Sequence, residues 1–128
     1  MLPAKASTFT FLFTDIEGST GLWERFPQAM KLALERHDSI LLTAVTAAGG
    51  QVIKTTGDGL MAVFGSAAEA VRACLAAQRG LGEEPWQETG PLRVRMGLHS
   101  GEAQPRQDDY FGPAVIRSER IMAVGHGG

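Results

Sequence analysis

Two aspartates lie where a carboxylate could bind a metal ion. Asp15 directly follows residues 8–14 (TFTFLFT), a run of β-branched and aromatic residues that predicts a strand buried on both faces. Asp58 lies in residues 55–59 (TTGDG), between two further β-like runs, where Asp-Gly favours a hairpin turn. Mg²⁺ combines one or two carboxylates with substrate phosphates. Taken singly, a helix cap at Asp15 and a turn residue at Asp58 are the more common roles.

A segment of small and hydroxyl residues comes shortly after Asp15. Gly18, Ser19 and Thr20 stand where helical periodicity begins. The free backbone N–H groups and the dipole of a helix N-terminus favour a phosphate there. An ordinary helix cap is a common alternative for these residue types. The nearby Asp15 favours phosphate binding, because a metal beside a phosphate site neutralises a triphosphate.

A lysine and an aspartate could together read the edge of a purine base. Lys54 lies on the strand that precedes the hairpin, and an inward-facing lysine is unusual unless its ammonium group has a partner. Asp109 lies at the end of a predicted exposed loop, residues 105–109. Lysine donates hydrogen bonds and an ionised aspartate accepts them. Without further context, a pair of surface charges is the simpler interpretation.

The last predicted helix, residues 112–125, begins with Gly-Pro and carries two arginines on one face. Arg117 and Arg120 share that face with Ile116, opposite a mostly apolar face. An arginine here could stabilise negative charge that develops on a phosphate. The alternative is a solvated basic face on which Glu119 is a local partner.

The elements that must position these residues follow from periodicity and capping signals. Apolar residues recur at helical spacing over residues 28–48, and His37 fills the one gap on that face. Ser66 and Glu69 form a capping box that opens an Ala-rich helix. That helix is predicted to end near Leu81, and the other predicted elements are strands over residues 51–54, 60–64 and 92–98 and a loop over residues 82–91.

The predicted order is β-α-β-β-α-β followed by a helix. This is the ferredoxin-like arrangement, an α+β fold in which an antiparallel sheet has helices packed on one face. In such a sheet the first strand and the hairpin are neighbours, so Asp15 and Asp58 are expected to meet at one end. The length of 128 residues suits a single domain, residues 1–128.

Composition and charge exclude several classes of protein. The net charge of -2 argues against binding nucleic acid, which usually needs a basic surface. No apolar run approaches the ~20 residues that span a bilayer, so membrane insertion is not expected. The N-terminus has no apolar core of a signal peptide. The single cysteine, Cys74, forms no intrachain disulfide and fits a reducing compartment. We therefore expect a soluble, cytoplasmic chain.

Four segments of the sequence resemble the catalytic domain of the class III nucleotide cyclases. They are FTFLFTDIEGST, GGQVIKTTGDGLMAVF, RMGLHSGEA and DYFGPAVIRSERIMA, and they follow the family's order and spacing over nearly the whole chain. The resemblance implies the nucleotide cyclase fold. Asp15 and Asp58 resemble the two metal-binding aspartates of the family, and the carbonyl of Ile16 resembles an extra ligand. Two Mg²⁺ or Mn²⁺ ions per site are implied.

The resemblance also implies a substrate and an assembly. Lys54 and Asp109 match the positions that read adenine, and Arg120 matches the transition-state arginine. The implied reaction converts ATP to cyclic AMP and pyrophosphate, in intracellular signalling. The family works as a dimer, so a homodimer is expected. One protomer supplies the metal aspartates, and its partner supplies the base-reading pair and the arginine.

The sequence departs from the family pattern at two points. Ile116 stands where the family usually has an asparagine that positions the ribose, and isoleucine cannot form that hydrogen bond. The family domain also continues beyond residue 128 with further strands and a phosphate-contacting lysine, so an incomplete domain is expected. These departures favour a second hypothesis, a catalytically weak or inactive cyclase-like module that dimerises or binds nucleotide. A polymerase-type or diguanylate-cyclase-like palm domain is a third, which Lys54, Asp109 and Arg120 disfavour.

Overall fold

The structure, a computed structural model, describes residues 7–106 and 109–111, and the side chains of residues 8–102. Within these residues the chain forms, in order, β1 (Ser7–Ile16), α1 (Ser19–Arg25), α2 (Pro27–Ala47), β2 (Gln51–Thr56), β3 (Gly59–Phe64), α3 (Ala67–Glu83), β4 (Val94–Arg106) and β5 (Asp109–Phe111).

The strands form one antiparallel sheet whose order is β2-β3-β1-β4-β5. β1 lies in the middle, between β3 and β4. The order β2-β3-β1-β4 is that of the predicted ferredoxin-like arrangement, so the α+β prediction is confirmed. β5 adds one strand beyond it. Because β1 and β3 are neighbours, the end of β1 that carries Asp15 lies beside the turn of the β2–β3 hairpin.

The two long helices pack on one face of the sheet. The predicted apolar stripe of α2 is buried along its length, from Met30 to Val45, and His37 is fully buried within it. The His37 Nδ1 lies 2.8 Å from an Asp38 carboxylate oxygen and donates a hydrogen bond to it. Stripe residues of both helices join Leu12 of β1 and other strand residues in one core. The helix predicted over residues 28–48 is confirmed within one residue.

The other face of the sheet carries a second, smaller apolar cluster. Phe11 and Phe13 of β1 and Met61 and Val63 of β3 form it, and all four are buried. Alternate residues of β1 therefore face opposite cores, because successive side chains of a strand point to opposite sides. This confirms the prediction of a first strand buried on both faces.

The capping box at the start of α3 is confirmed in its backbone contact. The Ser66 hydroxyl oxygen accepts a hydrogen bond of 3.2 Å from the backbone N–H of Glu69. The Ser66 hydroxyl also donates a hydrogen bond of 3.2 Å to the Glu69 carboxylate. The Glu69 side chain therefore contacts the Ser66 hydroxyl and not the Ser66 backbone N–H, which it would contact in a complete capping box.

The fourth strand is longer than predicted. A strand over residues 92–98 and an exposed loop over residues 105–109 were expected, whereas β4 runs over Val94–Arg106. Pro105 and Asp109 lie in the β4–β5 hairpin, where Arg106 pairs with Asp109. β4 pairs with β1 without interruption from Ser7↔Ala103 to Ile16↔Val94, and this long pairing outweighs the local turn signals. The predicted last helix lies outside the described residues.

Candidate functional site

A close backbone contact fixes the β2–β3 hairpin against the end of β1. A Cβ atom added at Gly59 would lie 1.8 Å from the Thr14 carbonyl oxygen and 3.2 Å from the Asp15 Cα atom. The backbone N–H of Leu60 donates a buried hydrogen bond of 3.1 Å to the Thr14 hydroxyl. Asp58 immediately precedes Gly59. The fold therefore brings Asp15 and Asp58 to the same end of the sheet, as predicted.

The hairpin turn itself lies one residue earlier than the Asp-Gly signal suggests. Thr56 pairs with Gly59, so Gly57 and Asp58 are the two turn residues. Gly57 has φ 67°, a conformation that glycine adopts readily and other residues rarely. Gly59 serves the close approach to β1 rather than the turn. The hairpin prediction is confirmed, but its two glycines have separate roles.

Arg95 holds the Asp15 carboxylate with two hydrogen bonds. Arg95 faces Asp15 directly across the β1–β4 pairing. Its Nε donates to one carboxylate oxygen at 2.6 Å, and its terminal nitrogen donates to the other at 2.5 Å. The side chains are 28% and 22% exposed, so this is a half-buried, two-point ion pair. Sequence reasoning missed Arg95, because its relevance depends on the strand register.

Three carboxylates influence the Arg95 guanidinium. The pKa of Arg95 is raised above its ordinary value, first by the hydrogen bond to Asp15 and further by the charges of Asp15, Glu17 and Asp58, against partial desolvation. Glu17 directly follows β1, and its backbone N–H donates to the Arg93 carbonyl at 2.8 Å. The carboxylates of Asp15, Glu17 and Asp58 therefore all act on the Arg95 guanidinium near the end of β1.

The donor set at this end of the sheet fits a hard divalent cation. It comprises the carboxylates of Asp15 and Asp58 and the backbone carbonyl of Ile16, whose side chain is buried. Among the described residues no three His, Cys, Asp or Glu side chains form a metal-binding group. A cation bound here would complete its coordination with water and substrate oxygens, as Mg²⁺ usually does.

The predicted phosphate-binding segment lies at the start of the short helix α1. Gly18 is the residue before the helix, with φ 68°, and no side chain caps the first turn. Ser19 begins the helix, and the Thr20 side chain is exposed. The ordinary helix cap that was the alternative is therefore present at Gly18, without a side-chain hydrogen bond. Phosphate binding by Gly18, Ser19 and Thr20 stays a prediction.

Lys54 lies on the outer strand β2 and is exposed, not inward-facing as expected. The β2–β3 register shifts between Val52 and Lys54, and this irregularity changes the alternation of side chains along the strand. Asp109 begins β5, at the opposite edge of the sheet from β2. Strand order alone does not bring Lys54 and Asp109 together, and base reading by this pair stays a prediction. Arg120 and Ile116 lie outside the described residues.

A cavity of about 540 Å³ lies away from this carboxylate site. It is formed by the first turns of α2 and the segment 84–89, and the Arg36–Glu84 ion pair of 2.8 Å stands on its wall. None of the predicted site residues whose side chains the structure describes, Asp15 and Asp58 among them, lines it.

The whole chain is similar to known nucleotide cyclases. Residues 2–128 match the family described as the adenylate and guanylate cyclase catalytic domain. An adenylate cyclase of Neurospora crassa is 34% identical over 99% of this chain and 7% of its own length. An uncharacterized protein of Mycobacterium tuberculosis is 37% identical over 94% of this chain and 41% of its own length. The chain thus spans less than half the length of these relatives.

Solved structures share the fold. An adenylate cyclase from Trypanosoma brucei, in its monomeric state, has a TM-score of 0.90 at 24% identity, over 98% of this chain and 72% of that one. An adenylate/guanylate cyclase/hydrolase from Silicibacter pomeroyi has a TM-score of 0.79 at 29% identity, over 97% of this chain and 73% of that one. No helix among the described residues is long and apolar enough to cross a membrane.

Proposed function

Because the chain belongs to the adenylate and guanylate cyclase catalytic domain family, we propose that it is an adenylate cyclase domain that acts in cytoplasmic signalling. It converts ATP to cyclic AMP and pyrophosphate. The observation that carries this proposal is the convergence of Asp15 and Asp58 at one end of the sheet, where Gly59 permits the close approach. The similarity to adenylate cyclases over 99% of this chain supports the choice of reaction.

Each site residue has a role in this reaction. Asp15, Asp58 and the Ile16 carbonyl hold the cations. Two Mg²⁺ or Mn²⁺ ions bound there supply charge neutralisation of the triphosphate and activation of the ribose 3′-hydroxyl. The hydroxyl oxygen bonds to the α-phosphorus as the bond to pyrophosphate breaks, and the hydroxyl proton passes to solvent. Residues 18–20 donate backbone N–H groups to phosphate oxygens, and Arg120 stabilises the negative charge of the transition state.

A homodimer completes the proposed site. Lys54, Asp109 and Arg120 act on a nucleotide whose cations are held by the aspartates of the partner protomer. The exposed position of Lys54 on an outer strand supports a contact outside its own protomer.

The test is a cyclic AMP assay of the purified chain with ATP and Mn²⁺ or Mg²⁺. Asp58→Asn should lower the rate by roughly 10²-fold or more, because it removes a carboxylate that holds the cations. The control is Glu35→Gln, which removes an exposed carboxylate on α2, outside the proposed site. Equal rates for the parent and Asp58→Asn would contradict the proposal.

A catalytically weak nucleotide-binding module is the second candidate, and Ile116 is the observation that favours it. In that case the chain binds ATP with Mn²⁺ but forms little cyclic AMP. Ile116→Asn should then raise the rate, because it restores a hydrogen-bonding side chain beside Arg120. The cyclic AMP rate separates the two candidates, and calorimetry with an ATP analogue shows whether a chain of low activity still binds nucleotide.

A further inference from the structure

The position that a cation would take at Asp15 is covered by a protein cation. Arg95 uses two of its nitrogens to satisfy both oxygens of the Asp15 carboxylate, at 2.6 and 2.5 Å. Its charge also interacts with Asp58, the second proposed metal ligand, and with Glu17. The guanidinium therefore neutralises the same group of carboxylates that would hold a divalent ion.

These two cations compete for the same carboxylate. The Arg95 nitrogens already use both oxygens of Asp15, and two positive charges a few Å apart repel strongly in a half-buried site. Without any cation, Asp15, Glu17 and Asp58 would instead repel one another. Arg95 therefore lowers the repulsion among the carboxylates in the metal-free chain. The same charge opposes the binding of a metal ion.

We propose that Arg95 is an internal counter-ion of the carboxylate site, which a divalent cation must displace from Asp15 in order to bind. The inference rests on the proposed role of Asp15 and Asp58 in metal binding. It adds that in the metal-free chain the Arg95–Asp15 ion pair occupies the carboxylate that a metal ion would bind. Weak binding of the metal alone follows, because the energy of the Arg95–Asp15 pair opposes it.

The first test measures the affinity of the chain for Mn²⁺ alone, by calorimetry or by the electron paramagnetic resonance signal of free Mn²⁺. Arg95→Gln should bind Mn²⁺ about tenfold more tightly, since it removes the competing charge. Arg95→Lys, which keeps the charge but loses the two-point geometry, should lie between the parent and Arg95→Gln. Equal or weaker binding by Arg95→Gln would overturn the proposal.

The second test separates a counter-ion from a purely structural residue. Without metal, Arg95→Gln should melt at a lower temperature than the parent, because three carboxylates lose their cation. At saturating Mn²⁺ this deficit should vanish, because the metal replaces the guanidinium. A residue that only supports the fold would show the same deficit with and without Mn²⁺, and that result would also overturn the proposal.

Two further variants complete the design. Arg93→Gln removes the same charge from an exposed side chain two residues before Arg95. It should change neither the Mn²⁺ affinity nor the melting temperature. Asp58→Asn should weaken Mn²⁺ binding in both the parent and the Arg95→Gln background. If Asp58→Asn has no effect, the metal site and this proposal both fail. If Asp58→Asn weakens binding while Arg95→Gln does not tighten it, the counter-ion role alone is wrong.

Discussion

At the scale of single residues, the candidate site combines groups of two kinds. Asp15 and Asp58 were recognisable from their own neighbours in the sequence, because each follows or interrupts a β-like run. Arg95 was not recognisable in this way, since nothing within a few residues of it indicates a partner 80 positions earlier. Lys54 was assigned by resemblance, and it lies exposed on β2 rather than facing inward as expected.

Base selectivity is a prediction at this scale. Adenine presents a donor and an acceptor at the two positions where guanine presents the reverse, and Lys54 with Asp109 suits the adenine edge. Lys54→Ala should reduce the preference for an ATP analogue over a GTP analogue by about tenfold, because one hydrogen bond from a charged group is lost. The measurement is the ratio of the two dissociation constants. Lys31→Ala, at an exposed lysine on α2, should leave the ratio unchanged.

The Cys74 thiol supplies a second prediction. Burial raises the pKa of Cys74 from 9.0 to about 11. Below pH 9 the thiol is neutral in both the folded and unfolded chains, so it does not make the stability depend on pH. Between pH 9 and 11 only the unfolded chain loses the proton, so stability falls as pH rises. The slope is at most ~1.4 kcal/mol per pH unit, and less because the side chain is partly exposed.

Urea unfolding at pH 8, 9 and 10 measures this effect. Lysine and tyrosine also titrate in this range, so the informative quantity is the difference between the parent and Cys74→Ala. The variant should lose stability less steeply above pH 9. Parallel slopes for the two proteins would show that Cys74 ionises equally well in the folded chain.

At the scale of elements, the β2–β3 hairpin and the end of β1 form one unit. Gly59 has no space for a Cβ atom, and the Thr14 hydroxyl binds the next backbone N–H. These contacts hold the hairpin that carries Asp58 against the end of β1 that carries Asp15. A change in the hairpin should therefore affect stability and metal binding together.

Gly59→Ala tests this coupling. The added methyl group meets the Thr14 carbonyl oxygen, so the hairpin must move, at a cost of roughly 1–3 kcal/mol in unfolding free energy. Mn²⁺ affinity should fall as well, because Asp58 moves with the hairpin. Gly82→Ala is the matched control, since a Cβ atom there meets nothing within 4 Å and lies in helix α3. It should leave both quantities unchanged or raise stability slightly.

At the scale of the whole molecule, the proposed homodimer leads to a complementation experiment. Asp58→Asn and Arg120→Ala each destroy both sites of their own homodimer. A mixed dimer places both defects in one site and leaves the other intact. Co-refolding equal amounts of the two inactive chains should restore roughly one quarter of the parent activity, since half of the dimers are mixed and each has one intact site.

The matched control is a mixture of Asp58→Asn with Asp15→Asn. Both defects lie on the metal-binding side of the site, so every site in every dimer carries one of them. No activity should return. Activity in this mixture, or none in the Asp58→Asn with Arg120→Ala mixture, would contradict a site shared between protomers.

The sequence by itself indicated the order of the elements from β1 to β4 and pointed to the two aspartates. Local signals carry this information: the buried run of β1, the period of α2, the Ser66 cap of α3 and the Asp-Gly of the hairpin. Resemblance then added the family, which the match over residues 2–128 confirms.

The tertiary structure decided what depends on contacts between distant parts of the chain. Strand register placed Arg95 opposite Asp15 and extended β4 past the predicted end of its strand. The close approach of the Thr14 backbone requires a residue without a side chain at Gly59. The irregular β2–β3 pairing places Lys54 at the surface. Local periodicity indicates that a strand exists and which faces it buries. The residue that it opposes is settled only when the whole sheet packs, because a shift of register changes every cross-strand pair at once.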